Sequence, residues 1–144
     1  MIFRKSNLIF FFGLCIILVI QNCKKKDDVI PNVYVDFYLY LSDPDFSALN
    51  AIGNSVYVTG GYGGIVIYRK SIEEFIALDR ACTYAPSKEC ERVNVDDSGL
   101  FAVCPCCGSR FTVTDGYVVE GPASRPLKEY GASFDGNNVL HVFN

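Results

Sequence analysis

From Val33 to its end the chain runs in short stretches of period two, interrupted by Gly, Pro, Asn and Asp. That pattern builds strands and tight turns and leaves no amphipathic helix to fill a partner's groove. Val35, Phe37, Leu39 and Leu41 alternate with Tyr34, Asp36, Tyr38 and Tyr40, so the first strand has one apolar face and one aromatic, polar face. The tyrosines Tyr34, Tyr38 and Tyr40 are expected to pack under the 42–54 segment, which reads as a loop with one helical turn, rather than to form an exposed aromatic binding patch. Further strands are predicted over 55–59, 65–69, 91–95, 100–103, 110–113 and 116–120, with 71–79 a turn leading into a strand. A hairpin of 128–134 and 139–143 closes on Asp135-Gly136-Asn137-Asn138, which has good turn chemistry. The fold class is therefore all-β, a small sandwich or barrel. Gly60-Gly61-Tyr62-Gly63-Gly64 does not open a helix, so it is read as a flexible turn rather than a nucleotide cradle.

The start of the chain has a different character. Arg4 and Lys5 precede a 13-residue apolar run from Leu8 to Ile20. A spanning helix needs about 20 such residues, whereas the hydrophobic region of an export signal needs about 7–15. The run ends at Gln21-Asn22-Cys23, followed by Lys24-Lys25-Lys26-Asp27-Asp28. A Cys closing the apolar run and opening a charged stretch resembles a bacterial lipoprotein signal, with Cys23 as the lipidated residue. Asn22 departs from that pattern, which usually has Gly, Ala or Ser there. The alternative is an uncleaved anchor with Cys23 an ordinary thiol, and both place the domain outside the cytoplasm on a membrane. The expected organisation is a signal peptide over 1–22, a lipidated Cys and charged linker over 23–32, and one domain over 33–144. The expected location is the cell envelope, on the outer membrane.

Composition narrows the chemistry. Removal of the signal takes Arg4 and Lys5 with it and leaves 11 basic against 16 acidic residues, a net charge of −5. Such a surface gives no footprint for nucleic acid. The chain has one His, so a site needing two imidazoles cannot be assembled within it. That His, His141, alternates with Leu140 and Val142 and reads as a surface residue of the last strand. The carboxylates are scattered as solvated pairs and form no acid/base dyad.

Five of the seven cysteines fall in the domain, in two clusters, Cys82 with Cys90 and Cys104-Pro105-Cys106-Cys107. Each follows an apolar strand-like run, FIALDRA or LFAV, and two cysteine loops at the tips of β-segments are a common way to hold metal. Cys104 to Cys107 has zinc-ligand spacing. A thioredoxin-like reading is weak, because Gly108-Ser109-Arg110-Phe111 leads into a strand instead of opening a helix.

The segment 64–143 resembles a Rieske domain, the small β-fold that holds a [2Fe–2S] cluster between two loops. Rieske loops read C-x-H and C-x-x-H, the second often continuing as C-P-x-H-G-S-x-F. Here Cys104-Pro105-Cys106-Cys107-Gly108-Ser109-Arg110-Phe111 matches at every position except the last ligand. Asp115-Gly116, Gly121-Pro122-Ala123, Pro126-Leu127 and Tyr130 resemble the family's proline-containing segment over the cluster. The two imidazole positions are taken by Tyr84 and Cys107. A centre with two Cys on one iron and two His on the other is thereby excluded.

The resemblance implies that Cys82, Cys104 and Cys107 are cluster ligands, with Tyr84, Cys90 or Cys106 completing a [2Fe–2S] site of altered ligation. Some members join an extra Cys from each loop, and that implies a Cys90–Cys106 disulfide here. It also implies that Ser109 hydrogen-bonds the cluster, against which stands plain loop capping. Two other fates for the site stay open. One is a Cys₄ zinc site on Cys82, Cys90, Cys104 and Cys107. The other is a metal-free, disulfide-stapled domain, as suits an oxidising compartment. The chain accordingly reads as an electron carrier with a redox partner in the envelope, or as a binding module, and not as a self-contained enzyme.

Overall fold

The structure is a computed structural model that describes residues 29–144. The predicted signal peptide, the lipidation residue Cys23 and the first part of the charged linker lie outside the described residues. No helix among the described residues is long and apolar enough to cross a membrane. Among the described residues, ten strands form two antiparallel sheets. The larger contains β1 (Asp36–Tyr40), β2 (Ser55–Val58), β3 (Ile65–Arg69), β4 (Phe75–Asp79), β9 (Glu129–Phe134) and β10 (Val139–Phe143), in the order β1-β10-β9-β4-β3-β2. The smaller runs β5 (Asn94–Val95), β6 (Phe101–Val103), β7 (Arg110–Thr112) and β8 (Val118–Glu120) in sequence order.

Strands β3 and β4, IVIYR and FIALD, are apolar at nearly every position because both of their faces are covered. Val66, Tyr68, Ile76 and Leu78 point into one core cluster with Cys82, Val93, Ala102, Cys104, Phe111 and Val113. Ile65, Ile67, Phe75 and Ala77 point the other way, into a second cluster with Val35, Leu39, Leu49, Tyr130, Leu140 and Val142. The β3–β4 pair is thus a shared wall, with the cysteine loops on one side and the curled remainder of the large sheet on the other. The register Val66↔Leu78 and Ile67↔Ala77 keeps the two sets of side chains on opposite faces.

The 42–54 segment holds a 3-10 helix over Pro44–Asn50, started by Pro44 and by Asp43, whose carboxylate accepts the Asp45 N–H at 3.0 Å. It folds over the inner face of β1, burying Leu49 and half-burying Phe46 in the second cluster. The tyrosine face is left uncovered. Tyr34, Tyr38 and Tyr40 are 77%, 58% and 54% exposed, which corrects the expectation that they pack beneath this segment. Leu49 and Phe46 supply apolar area to the core, and the tyrosines can keep their hydroxyls in water.

The glycine-rich turn is a tight structure around one carboxylate. Asp79, fully buried at the end of β4, accepts hydrogen bonds from Tyr62 N (2.7 Å), Gly63 N (2.9 Å), Ala81 N (2.8 Å) and Tyr130 Oη (2.7 Å). A Cβ on Gly63 would lie 2.4 Å from the Ala81 nitrogen, so only glycine lets the backbone come this close.

Candidate metal centre

Beyond β4 the chain stays extended through Cys82 and later returns antiparallel through Glu91, with Ala81 bridged to Arg92. Cys82 N donates to Glu91 O at 2.6 Å and Val93 N to Arg80 O at 2.7 Å. Cys82 and Glu91 therefore stand opposite each other, where antiparallel neighbours bring their side chains together. The intervening turn is closed by Lys88 N donating to Ala85 O and Glu91 N to Lys88 O.

The second loop joins β6 to β7. Cys104 N donates to Ser109 O and Gly108 N to Cys104 O, with Gly108 at φ +73° completing the reversal. A Cys90–Cys106 disulfide, with a Cα–Cα separation of 5.7 Å, ties one loop to the other. The proline-containing segment is tied in from the side: Thr83 Oγ1 donates to Arg125 O at 2.6 Å, and Ala123 N donates to Ser109 Oγ at 3.0 Å. Gly121 passes so close that a Cβ there would lie 2.5 Å from Ser109 Cα.

Between the loops four donors converge: the thiols of Cys82, Cys104 and Cys107 and the carboxyl of Glu91, all within 4.8 Å of one another. Cys82 Sγ lies 3.6 Å from Cys107 Sγ, and Cys104 Sγ lies 2.8 Å from Glu91 Oε2. Cys82 and Cys104 are fully buried and Glu91 is 2% exposed, while Cys107 is half-buried on the open side. Ser109, its oxygen already accepting from Ala123 N, has its hydroxyl 3.1 Å from Cys107 Sγ. Burial, reinforced by the Glu91 carboxyl, pushes the Cys104 thiol up to about 11. The Cys82 thiol is raised as well, first by burial and then by Glu91 and the neighbouring thiols. A buried thiol of this kind needs a cation beside it to ionise at neutral pH.

The expected ligands Cys82, Cys104 and Cys107 thus come together. Tyr84, like Cys107, is half-buried against the same apolar cluster that contains Cys82 and Cys104. Cys90 and Cys106 are joined to each other, so the Cys₄ set of Cys82, Cys90, Cys104 and Cys107 is not assembled. The residue that sequence reasoning missed is Glu91. Its signal is faint but readable: it shares the inward phase of its strand with buried Val93, an apolar position for which a carboxylate is out of place.

A sequence model of the Rieske [2Fe-2S] domain matches residues 41–131. The chain belongs to the Rieske [2Fe-2S] domain family. Its fold is similar to the plasma membrane Rieske protein PetC3 of the cyanobacterium Synechocystis PCC 6803, at 26% identity and TM-score 0.53, over 76% of this chain and 98% of that one. A chain from the complex of reduced oxygenase and oxidized ferredoxin in carbazole 1,9a-dioxygenase shares the fold at 19% identity and TM-score 0.51, over 75% of this chain and 93% of that one. No curated protein matches.

The side chains present do not fit the His-ligated two-iron centre of the Rieske family. The one histidine, His141, lies on β10, 2.7 Å from Asp36 and stacked on Tyr38. The donor group is also small. Two irons separate their donors into two pairs across an iron–sulfide rhomb, wider than a single tetrahedral shell. In a single shell with metal–sulfur bonds of about 2.3 Å, neighbouring donors are roughly 3.8 Å apart.

Proposed function

We propose that this chain is a lipid-anchored protein of the cell envelope, carried on the outer membrane through Cys23. In it the Rieske fold keeps a redox-lineage metal site of altered, cysteine-rich ligation and exchanges one electron with a protein partner. The observation that carries this reading is the convergence of Cys82, Cys104, Cys107 and Glu91 between two loops stapled by a disulfide, in a domain of this family. Three thiols directed at one point are a soft, electron-rich donor set that suits iron, whose one-electron couple this reading needs. The half-buried Cys107 puts the edge of the site toward solvent, where a partner would approach. The apolar run before Cys23 and the charged stretch after it support the anchor.

The test is fractionation and metal analysis of the full chain. It should leave membranes only with detergent, and Cys23→Ser should move it to the soluble fraction. Purified in detergent without oxygen or reductant, it should carry metal and a thiolate-to-metal absorption that is lost in Cys107→Ala. A metal-free, colourless chain would sink the redox reading and leave a disulfide-stapled binding module.

A further inference from the structure

We infer that the two loops form the shell of one tetrahedral divalent ion, bound by Cys82 Sγ, Cys104 Sγ, Cys107 Sγ and a Glu91 carboxylate oxygen, and not of a two-iron cluster. The inference rests on the proposed reading of the site as a metal centre and deepens it. The 3.6 Å between Cys82 Sγ and Cys107 Sγ is close to the edge of a thiolate tetrahedron around one ion, roughly 3.8 Å. The limit of 4.8 Å on every donor pair leaves no room for the rhomb of a second iron. With Cys90 and Cys106 held in the disulfide, the domain has three free thiols, one short of a full thiolate set. The fourth place is taken by Glu91.

The position of Glu91 is hard to explain otherwise. Glu91 is 2% exposed, and its carboxyl meets the Cys104 thiol at 2.8 Å and takes part in none of the ion pairs among the described residues. Four acidic donors packed at this spacing repel one another once ionised, and burial raises the cost of each charge. A divalent cation in their midst reverses the sign of the interaction for all four. Three soft sulfurs with one harder oxygen suit iron(II), and zinc(II) would fill the same shell. Zinc is redox-inert, so a zinc-only chain would keep the single-ion shell and overturn the electron exchange. Calcium and magnesium, which take oxygen ligands at higher coordination number, are poorly matched. The backbone fixes the shell before the ion arrives: the Cys82–Glu91 pairing sets one half and the Cys104–Ser109 turn sets the other.

The experiment uses the full chain in detergent, purified without oxygen and analysed for zinc, iron and acid-labile sulfide, then stripped of metal and titrated with cobalt(II). We expect one ion per chain and no sulfide. Cobalt should saturate at one equivalent, with the intense visible bands of a tetrahedral site and a thiolate-to-cobalt band in the ultraviolet. Glu91→Gln should weaken cobalt binding tenfold or more. Glu91→Cys should keep one-to-one binding and raise the charge-transfer intensity by about one third, as three thiolates become four. Circular dichroism checks that each variant is folded. Two irons with two sulfides per chain would overturn the single-ion shell while leaving the metal-centre reading intact. A folded chain that binds neither native metal nor cobalt would overturn both. An unchanged affinity in folded Glu91→Gln would remove Glu91 from the shell.

Discussion

Asp79 shows how much of this domain depends on single polar residues in apolar surroundings. Its carboxylate is fully buried and accepts three backbone N–H groups and the Tyr130 hydroxyl, which compensates for the water it has lost. Tyr130→Phe removes one of these donors without opening space. It should cost about 1–3 kcal/mol, read from the denaturant midpoint of the folded chain. Gly63→Ala should be destabilising to a similar or greater degree, about 1–3 kcal/mol or more. Its Cβ would meet the Ala81 backbone at 2.4 Å, and a main chain held by hydrogen bonds cannot step aside as a side-chain tip can. The five residues 60–64 read in the sequence as a flexible turn, since glycines look alike whether they loosen a chain or let it approach a buried charge. Glu91 was hidden for a related reason. The run that contains it shows a strand, but only its pairing with Cys82 shows which face it serves.

At the scale of elements, the hairpin tips carry both the site and its reinforcement. The Cys90–Cys106 bond spans a sequence separation of 16, for which the loss of unfolded-chain entropy is worth about 3 kcal/mol. Replacing both cysteines by Ser should lower stability by roughly that amount, and metal affinity should fall too, because the two half-shells are then no longer tied. Denaturation with and without the bond, followed by cobalt titration, measures each effect. The β9–β10 turn has its own reinforcement. Asp135 Oδ1 accepts the N–H groups of Asn137, Asn138 and Val139, and these bonds hold its carboxyl below the usual carboxylate range. A folded value below the unfolded one means that the ionised form favours folding. The contribution is complete above the unfolded value of about 3.9 and is lost as pH falls through the folded value. Asp135→Ala should therefore be less stable than the parent at neutral pH, and the gap between their denaturation midpoints should close on acidification below about pH 4. This hairpin was legible before the structure, because Asp135-Gly136-Asn137-Asn138 supplies both the side-chain acceptor and a glycine at φ +80°.

Over the whole molecule, the shared β3–β4 wall couples the cysteine loops to the main core, since Val66 and Leu78 touch the same cluster as Cys82 and Cys104 while Ile67 and Ala77 support the other. Leu78→Ala should therefore cost about 2–5 kcal/mol, and the destabilisation should reach the site as weaker cobalt binding under mild denaturant. The all-β class, the positions of the strands, the two cysteine loops and the family resemblance could all be read from the chain alone. Each is a local pattern: alternation, turn residues, or ligands spaced a few positions apart. The outward face of the tyrosines and the carboxylate cradle could not be read this way, and the fourth donor could be read only faintly. Each depends on which distant segment lies opposite, as Glu91 lies opposite Cys82 across a loop and the 3-10 helix covers one face of β1 and not the other. Local sequence determined which elements form. Their pairing decided which side chains share a buried space, because burial and electrostatic compensation belong to neighbours in three dimensions.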